Sequence, residues 1–591
     1  MTDEGEKMPN QNLAPNPTPI HPRESHKRAA TGPIAGSRAG LDVLLTDAAV
    51  SRGGARRFLE PAAGVRAAAG LARRPDRALR RAGALGGELA SIAAGRSERA
   101  PARGDRRFTD PAWRESWLWR RSMQSYLAVL DAVDGLIDDA SLDWRTERQA
   151  RFAASNVLDA VAPTNFPWSN PTVIKQTVDD AGANLVKGAR RFGRDISRAP
   201  RLPATVDTDK FEVGGNLALS PGSVVLREEA FELIQYRPTT EQVRELPLLF
   251  VPPTINRFYV LDLAPGRSMI EHLLAEGQQV FVISWRNPDE AQGHFDLDTY
   301  AQAVLDARAA VAEITGQESV HLNAACSGGI VTASLLAHLA ETGSLSGVAS
   351  LTLMVCALDN ARAGTQSALI NREVAAAAVA ESARKGYLDG KALAGVFAWL
   401  RPNDLIWSYV INNYLLGKKP PAFDILYWNQ DSVRLAAGLH RDFIRMALDN
   451  SLTQAGGVSV LGTPVELSKV DLDSYIVAGS NDHIVPWDNA YRSTQLLGGD
   501  CRFVLSTSGH IQALINPPAP DSRSSYRVAD ENPPDAEAWM ERAAKRQGSW
   551  WPDYVEWLAA RSGELVDAPA RLGSPAHKAL GKAPGSYVHA S

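Results

Sequence analysis

The feature that most constrains this chain is a strand, a tight turn and a helix in immediate succession between His321 and Leu339. Residues 319–323 have the pattern of a strand, and residues 330–339 have the apolar spacing of a helix. The turn between them, Ala324-Ala325-Cys326-Ser327-Gly328-Gly329, consists of small residues around one thiol. This is typical of a nucleophile elbow, where only small side chains fit around the reactive residue. Cys326 is therefore the candidate nucleophile, and an inert buried thiol is the alternative.

Two further strand patterns downstream each end in a polar loop. One loop carries Asp482 and His483, and the other carries His510. Nucleophile, acid and histidine, each just after a strand, follow the chain order of the α/β-hydrolase triad. We therefore predict Cys326 as the nucleophile, Asp482 as the acid and His510 as the base. His483, beside Asp482, is the alternative base on the residues alone.

The rest of this part of the chain predicts a mainly parallel sheet. Residues 248–251 and 280–285 are short β-rich runs separated by a helical pattern over residues 268–276. Such β-α-β alternation is typical of parallel strands with helices on the sheet faces. We therefore expect an α/β fold in which the three candidate residues meet at one edge of the sheet.

The loop after the first of these strands is the expected source of an oxyanion donor. Its sequence is Pro252-Pro253-Thr254-Ile255-Asn256, and neither proline has a backbone N–H. We therefore assign this donor to the amide of Thr254 or Ile255. The second donor is expected to be the amide of Ser327, directly after the nucleophile.

Composition divides the chain into regions. Residues 1–40 are rich in Pro, Asn, Ser and Ala without a sustained period, which predicts a disordered tail. Residues 51–110 contain fourteen Arg, no Lys and six acidic residues, for a net charge of +8. This stretch is either a solvated Arg/Ala-rich helix or a surface for an anionic partner. The predicted regions are a disordered or Arg/Ala-rich N-terminal region (1–104), a helical N-terminal domain (105–207) and a catalytic domain (208–591) with a cap inserted at about 360–452.

Several classes of protein are excluded by simple counts. The three cysteines, Cys326, Cys356 and Cys501, are too few and too scattered for a disulfide framework or a zinc cluster. The N-terminus has no signal-peptide pattern, and no run of apolar residues is long enough to span a membrane. We therefore expect a cytosolic protein with no metal and no transmembrane segment.

Several phrases resemble those of polyhydroxyalkanoate (PHA) synthases, α/β-hydrolase-type enzymes that polymerise (R)-3-hydroxyacyl-CoA into storage polyester. The resemblance runs from about Asp105 to the C-terminus. The matching phrases are Phe211 to Gly214, Ile234 to Tyr236, Val251 to Tyr259, Ser284 to Pro288, Asn403 to Trp407, Phe423 to Asn429, Asn481 to Trp487, Gly509 to Gln512 and Pro584 to Val588.

The resemblance implies an acyltransferase that uses Cys326, His510 and Asp482 and forms acyl-S-enzyme intermediates. It also implies that Asp482 helps to activate the 3-hydroxyl of the incoming unit. The substrate thioester supplies CoA, so no cofactor is expected. The remaining candidates for the substrate site are His483, Gln512 and Trp428. Further residues of the predicted cap that are candidates for an acyl or CoA channel are Arg401, Trp407, Tyr414, Tyr427 and Asp431.

Gln512 and the stretch over residues 428–440 resemble the single-subunit class II enzymes, which favour medium-chain monomers; class I is the alternative. The resemblance also implies a cytoplasmic homodimer on polyester granules, contacting granule-associated proteins and not nucleic acid. One departure is Ala324, where the family elbow normally has glycine. A cysteine hydrolase or thioesterase of the same fold, and a non-catalytic granule-associated protein, are the alternative functions.

Overall fold

The computed structural model of this protein describes residues 61–102, 105–198, 201–361, 372–390, 398–399 and 402–590. The predicted disordered tail and the channel candidate Arg401 lie outside these ranges. The described chain forms a helical unit followed by an eleven-stranded sheet with helices on both faces.

The first unit is helical, and side chains satisfy the free amides at several of its helix starts. Asp143 accepts two backbone hydrogen bonds at the start of one helix, and Asn170 accepts two at the start of the next. The longest helix of this unit spans Trp117–Asp139. The helices of this unit are α1 (Pro61–Ala72), α2 (Pro75–Ala93), α3 (Ala112–Glu115), α4 (Trp117–Asp139), α5 (Trp144–Ala160), α6 (Pro171–Asp179) and α7 (Ala183–Ile196).

Helices α1 and α2 differ from the prediction that residues up to 104 form a separate variable region. They pack on α4 and α5, the helices of the predicted N-terminal domain. Arg81 pairs with Asp139 at 3.0 Å, and Arg66 donates a hydrogen bond to Thr146 at 3.1 Å. The helical unit therefore begins well before residue 105, because these arginines find partners within it.

The second unit is built on strands that the sequence pattern places between helices. The strands, in chain order, are β1 (Gly222–Arg227), β2 (Phe231–Tyr236), β3 (Gln242–Arg244), β4 (Leu248–Val251), β5 (Val280–Trp285), β6 (Val320–Ala325), β7 (Val348–Met354), β8 (Tyr387–Leu388), β9 (Leu435–Ala436), β10 (Val458–Val460), β11 (Thr463–Val465), β12 (Ser474–Gly479), β13 (Cys501–Ser506), β14 (Ser525–Val528), β15 (Ala544–Gln547), β16 (Leu565–Asp567) and β17 (Gly581–Lys582).

The main sheet has the strand order β15-β14-β13-β12-β7-β6-β4-β5-β2-β1-β17. Its central six strands, from β13 to β5, are parallel, and the outer strands on both sides are antiparallel. The predicted mainly parallel sheet is therefore confirmed. The carboxyl ends of β4, β6, β12 and β13 lie at one edge, so the loops that follow them are brought together.

Alternate residues of the central strands contribute to hydrophobic cores on opposite faces of the sheet. In β4, Leu249 and Val251 belong to one core, whereas Leu248 and Phe250 belong to the other. The helices of this unit are α8 (Met269–Ala275), α9 (Leu297–Thr315), α10 (Ser327–Glu341), α11 (Arg372–Lys385), α12 (Asp424–Gln430), α13 (Ala437–Asp449), α14 (Trp487–Arg492), α15 (His510–Leu514), α16 (Ala536–Arg542) and α17 (Trp551–Ala559).

The segment predicted as a cap lies between β7 and β12, which are neighbours in the sheet. Its described parts contain α11, α12 and α13 and a helical stretch with π-type turns over residues 402–415. The two ends of the segment meet where Asn450 donates a hydrogen bond to Asp359 at 3.0 Å. Asp359 also accepts a hydrogen bond from Arg492 of α14, so the base of the segment is anchored beside the loop that carries Asp482.

Candidate active site

Cys326 lies at the junction of β6 and α10 in a backbone conformation that few side chains adopt. Its φ is 48° and its ψ is −121°. Such positive-φ strain at a non-glycine residue is typical of a nucleophile elbow. The Cys326 N–H donates a hydrogen bond to the Met354 carbonyl at 2.9 Å, which holds the turn against the end of β7.

The two glycines after the nucleophile allow α10 to approach the sheet closely. A Cβ at Gly328 would collide with the carbonyls of Val251 and Pro252, and a Cβ at Gly329 would lie 2.7 Å from the Cys356 sulfur. Ala324, where the family normally has glycine, is different. It lies in β6, is fully buried and packs in the core, so its methyl does not occupy the turn itself.

His510 and Asp482 are in direct contact at the carboxyl ends of β13 and β12. His510 Nδ1 lies 2.6 Å from Asp482 Oδ2, and both side chains are largely or completely buried. The other carboxylate oxygen, Oδ1, accepts hydrogen bonds from the amides of Ile484 and Val485 at 2.8 and 2.9 Å. Because Asp482 occupies Nδ1, the Nε2 atom of His510 is left for a second partner.

The electrostatics of His510 connect it to Cys326. Burial lowers the pKa of His510, but the nearby Asp482 carboxylate and Cys326 thiol outweigh it and raise the pKa from 6.5 to about 10. A histidine with a raised pKa holds a proton strongly. The arrangement is therefore suited to take the proton of the Cys326 thiol and to keep it.

The Asp482 carboxylate distinguishes between the two candidate bases. It is paired with His510, from the next strand of the sheet, and the backbone amides of Ile484 and Val485 occupy its other oxygen. His483 precedes those amides in the same loop and takes no part in these hydrogen bonds to Asp482. The geometry therefore favours His510 over His483 as the residue that Asp482 orients.

The loop Pro252–Asn256, here called the oxyanion loop, contacts the residue after the nucleophile. Both the amide and the hydroxyl of Thr254 donate hydrogen bonds to the Ser327 hydroxyl, at 2.9 and 3.1 Å. The Thr254 amide is therefore already used. The Ile255 carbonyl accepts a hydrogen bond from Val433, and its amide donates to no group in the described part of the chain. Of the two predicted donors from this loop, the structure favours Ile255.

Trp428 and Gln512 lie in different surroundings. Trp428 is 3% exposed within a hydrophobic core, and its indole N–H donates a hydrogen bond to the Arg257 carbonyl at 2.7 Å. Its role in this structure is packing beside the oxyanion loop. Gln512 lies in α15, two residues after His510, and is partly exposed. Its place near the base is compatible with the predicted substrate contact.

The channel candidates and the second thiol are largely engaged within the protein. Tyr414 packs on Phe192 of α7 and donates its hydroxyl to Asp195. Asp431 accepts a hydrogen bond from Tyr259 at 2.8 Å. Cys356 is buried, and burial raises the pKa of its thiol well above the ordinary value, as expected of an inert thiol.

Two residues that support the oxyanion loop were not singled out from the sequence. The Trp285 indole donates a hydrogen bond to the Pro252 carbonyl at 2.9 Å, and Arg257 directly follows the loop and is 5% exposed. Both lie within phrases that carried the family resemblance. The available signal was the Pro-Pro pair, because two residues without backbone N–H groups leave the loop more dependent on support from other segments.

Two other features, a metal cluster and a membrane-spanning helix, are absent from the described residues. Among them, no group of three or more His, Cys, Asp or Glu side chains is arranged to hold a metal ion. No helix in the described part of the chain is both long and apolar enough to cross a bilayer.

Two family models match parts of this chain. A family model described as the N-terminus of poly-beta-hydroxybutyrate polymerase matches residues 104–273, and a model of the alpha/beta hydrolase fold matches residues 260–517. The second match confirms the predicted fold class.

Similar proteins cover most of the chain. Poly(3-hydroxyalkanoate) polymerase 2 of Ectopseudomonas oleovorans is 45% identical over 85% of this chain and 90% of its own length. Poly(3-hydroxyalkanoate) polymerase 1 of the same organism is 43% identical over 88% of this chain and 92% of its own. A poly(3-hydroxyalkanoate) polymerase subunit of Cupriavidus necator is 39% identical over 85% of both chains.

Proposed function

This chain belongs to the poly(3-hydroxyalkanoate) polymerase family and is therefore an acyltransferase, and from this premise we propose that it polymerises (R)-3-hydroxyacyl-CoA through Cys326, His510 and Asp482. The observation that carries the proposal is the buried hydrogen bond of His510 to Asp482, at the same edge of the sheet as the strained turn that carries Cys326. This is the arrangement of a nucleophile, a base and an orienting acid.

The first step is acylation of the enzyme. The thiol proton of Cys326 passes to Nε2 of His510, and the resulting thiolate attacks the thioester carbonyl of the substrate. The bond from the carbonyl carbon to the CoA sulfur breaks, and CoA leaves as a thiolate that takes the proton from His510. The product is an acyl-S-enzyme and free CoA.

The developing negative charge on the carbonyl oxygen requires donors that are already in place. The amide of Ser327 lies at the start of α10, and the amide of Ile255 lies in the oxyanion loop. We assign the oxyanion to these two amides, since the Thr254 amide is bonded to the Ser327 hydroxyl.

The second step extends the polyester. The 3-hydroxyl of an incoming unit gives its proton to His510 and attacks the carbonyl of the acyl-S-enzyme. The bond to the Cys326 sulfur breaks, and an ester forms as the thiolate is released. A thioester is exchanged for a thioester during acylation, so the acyl group stays activated for this transfer, which a serine ester would not allow.

Asp482 is proposed to act by orienting and charging His510. The observation that supports this role is the pairing of its Oδ2 with His510, while Oδ1 accepts hydrogen bonds from two backbone amides. Its side chain has no exposed surface.

We propose a preference for medium-chain monomers, which rests on the resemblance of Gln512 and residues 428–440 to class II enzymes. A methylene or two in an apolar pocket changes binding by only about 1 to 3 kcal/mol, so this preference is graded. We also propose a cytoplasmic homodimer at the granule surface, with the catalytic domain over 208–591.

The test is to incubate the purified protein with 3-hydroxybutyryl-CoA and 3-hydroxydecanoyl-CoA and to measure both free CoA and polymer. We expect both products, and the loss of both in Cys326→Ala. Release of free hydroxy acid without polymer would instead indicate a thioesterase. Turnover that is unchanged in Cys326→Ala, or absent from the unmodified protein, would contradict the proposal.

A further inference from the structure

The oxyanion loop has few backbone N–H groups with which to bond its neighbours. Two of its five residues are prolines, so they donate no hydrogen bonds to the neighbouring strands. The loop is instead held by the contacts of Trp285 and Ser327 already described and by the residue that follows it, Arg257. Of these contacts, the one through Arg257 reaches farthest along the chain, to Tyr587 and Ala590.

The guanidinium of Arg257 is almost completely buried and reaches the C-terminal strap, defined here as residues 583–590. It donates a hydrogen bond to the Tyr587 carbonyl at 3.0 Å and another to the Ala590 carbonyl. Arginine keeps its charge in proteins, so burial requires such partners. The position of Arg257 and the position of the strap therefore depend on each other.

The strap is itself firmly bound to the sheet. Buried Glu232 of β2 accepts hydrogen bonds from the amides of Ser586 and Tyr587 at 2.8 and 2.9 Å. Arg286 stacks on the Tyr587 ring at 4.7 Å and donates a hydrogen bond to its hydroxyl. The strap is therefore a fixed support for the arginine.

The same arginine also contacts the cap. Its Nε lies 3.4 Å from Asp431, just after α12, and its carbonyl accepts the Trp428 hydrogen bond. The neighbouring cap residues reach the loop directly, because Ser432 forms an isolated bridge with Asn256 and Val433 donates to the Ile255 carbonyl. Cap, strap and oxyanion loop thus converge on one buried charge.

We propose that Arg257 is a positioning residue for acyl transfer, which uses the C-terminal strap and Asp431 to keep the Ile255 amide aimed at the oxyanion. Arg257 touches no reacting atom and acts through the loop. The inference rests on the proposed roles of Cys326 and the oxyanion loop. A misplaced donor weakens only transition-state binding, so kcat should fall while KM changes little.

The test compares Arg257→Lys and Arg257→Ala with Arg561→Lys and Arg561→Ala, using CoA release from 3-hydroxydecanoyl-CoA. Arg561 pairs with Asp473 before β12, at the opposite edge of the sheet, and is the matched control. We expect kcat to fall about 100-fold in Arg257→Ala and about tenfold in Arg257→Lys, with KM within about threefold. The Arg561 variants should keep kcat within about threefold of the unmodified protein.

A third variant that ends at Lys582 removes the strap. It should lose about as much kcat as Arg257→Ala, and the two changes together should lose no more than either alone, because they act through one contact. A synthetic peptide of residues 583–591 should restore part of the rate of the shortened chain but not of the shortened Arg257→Ala chain. If Arg257→Ala does not fold, the kcat values of Arg257→Lys and of the shortened chain are compared in the same way.

Three results would overturn the inference: an unchanged kcat in the Arg257 variants, a loss confined to KM, or independent, multiplying losses from Arg257→Ala and the deletion. Cys326→Ala, measured in parallel, separates the two proposals. If it retains turnover, the proposed function fails. If it is inactive while the Arg257 variants remain fully active, only the inference about Arg257 fails.

Discussion

The two sides of the Cys326 sulfur are held in different ways. On the base side, Asp482 and His510 lie in the loops after neighbouring strands and bond to each other. The backbone of one loop also bonds the other, from the Asn481 amide to the Ser508 carbonyl at 3.0 Å. These two loops therefore support each other directly.

The oxyanion side depends on segments that are far apart in the chain. The oxyanion loop contacts Trp285 of β5, Ser327 of α10, the cap and, through Arg257, the C-terminal strap. The comparison teaches that a buried charge pair holds its own two loops together, whereas a loop in which two prolines lack N–H groups is held largely by its neighbours. On the base side, we therefore expect losses of activity only from substitutions in those two loops. On the oxyanion side, we expect losses from substitutions in several distant segments.

The largest effect is expected from removing the base. His510→Ala should lower CoA release by about 10⁴-fold, because His510 is the proposed acceptor of the Cys326 proton. His483→Ala, one residue after Asp482, is the control and should lower it less than tenfold. A larger loss in the His483 variant would reverse the assignment of the base. CoA release with 3-hydroxydecanoyl-CoA provides the measurement.

The second effect tests the charge of Asp482. Asp482→Asn should lower turnover by about 100-fold near neutral pH, with a smaller deficit at higher pH. The carboxylate helps to raise the pKa of His510 to about 10, so without it the imidazole holds the Cys326 proton less strongly. The pH profile of kcat/KM from pH 6 to 10 checks this shift, and a deficit that is equal at every pH would contradict it.

The same substitution has a consequence for stability. A raised pKa in the folded state stabilises the fold fully below the ordinary value of 6.5, and this contribution is lost as the pH rises to about 10. The difference in melting temperature between the unmodified protein and Asp482→Asn should therefore be largest below pH 6.5 and shrink toward pH 10. A difference that grows with pH would show that His510 is not the group responsible.

A smaller effect is expected on the oxyanion side. Ser327→Ala removes the hydroxyl that holds Thr254 and should lower kcat about tenfold, less than the loss of an oxyanion donor. It also leaves a buried amide without a partner, at a cost of about 1 to 3 kcal/mol in stability. Ser334→Ala is the control, since its hydroxyl in the same helix bonds only the Ile330 carbonyl. Equal kcat values in both variants would show that the Thr254 contact does not position the loop.

The smallest effect should come from Trp428→Phe. This change keeps most of the buried ring but removes the hydrogen bond to the Arg257 carbonyl. We expect a loss of about 1 kcal/mol in stability and a change in kcat below threefold. Calorimetry and CoA release provide the two values. A tenfold rise in KM for 3-hydroxydecanoyl-CoA, with kcat unchanged, would instead support the prediction that Trp428 contacts substrate.

The local sequence pattern was sufficient to predict much of the fold. The strands β4 and β5 have the bounds that their β-rich runs indicate, and the elbow lies between a strand and a helix as predicted. The packing of helices α1 and α2 was not predicted, because their Arg/Ala-rich sequence is equally typical of a solvated segment. What distinguishes them is their packing on α4 and α5, which local composition does not reveal.

The sequence by itself determined the chemistry that this chain has available: a thiol in a small-residue turn, and an acid and a histidine after later strands. Chain order was enough to predict that the loops carrying these residues lie at one edge of the sheet, because parallel strands bring the loops at their carboxyl ends together. Only the tertiary structure decided which histidine the acid holds, which group the Thr254 amide bonds and that a buried arginine joins this loop to the C-terminal strap. The physical reason is that each of these depends on which donors meet which acceptors across long sequence separations, and hydrogen bonding at that scale has no periodic signal in the chain.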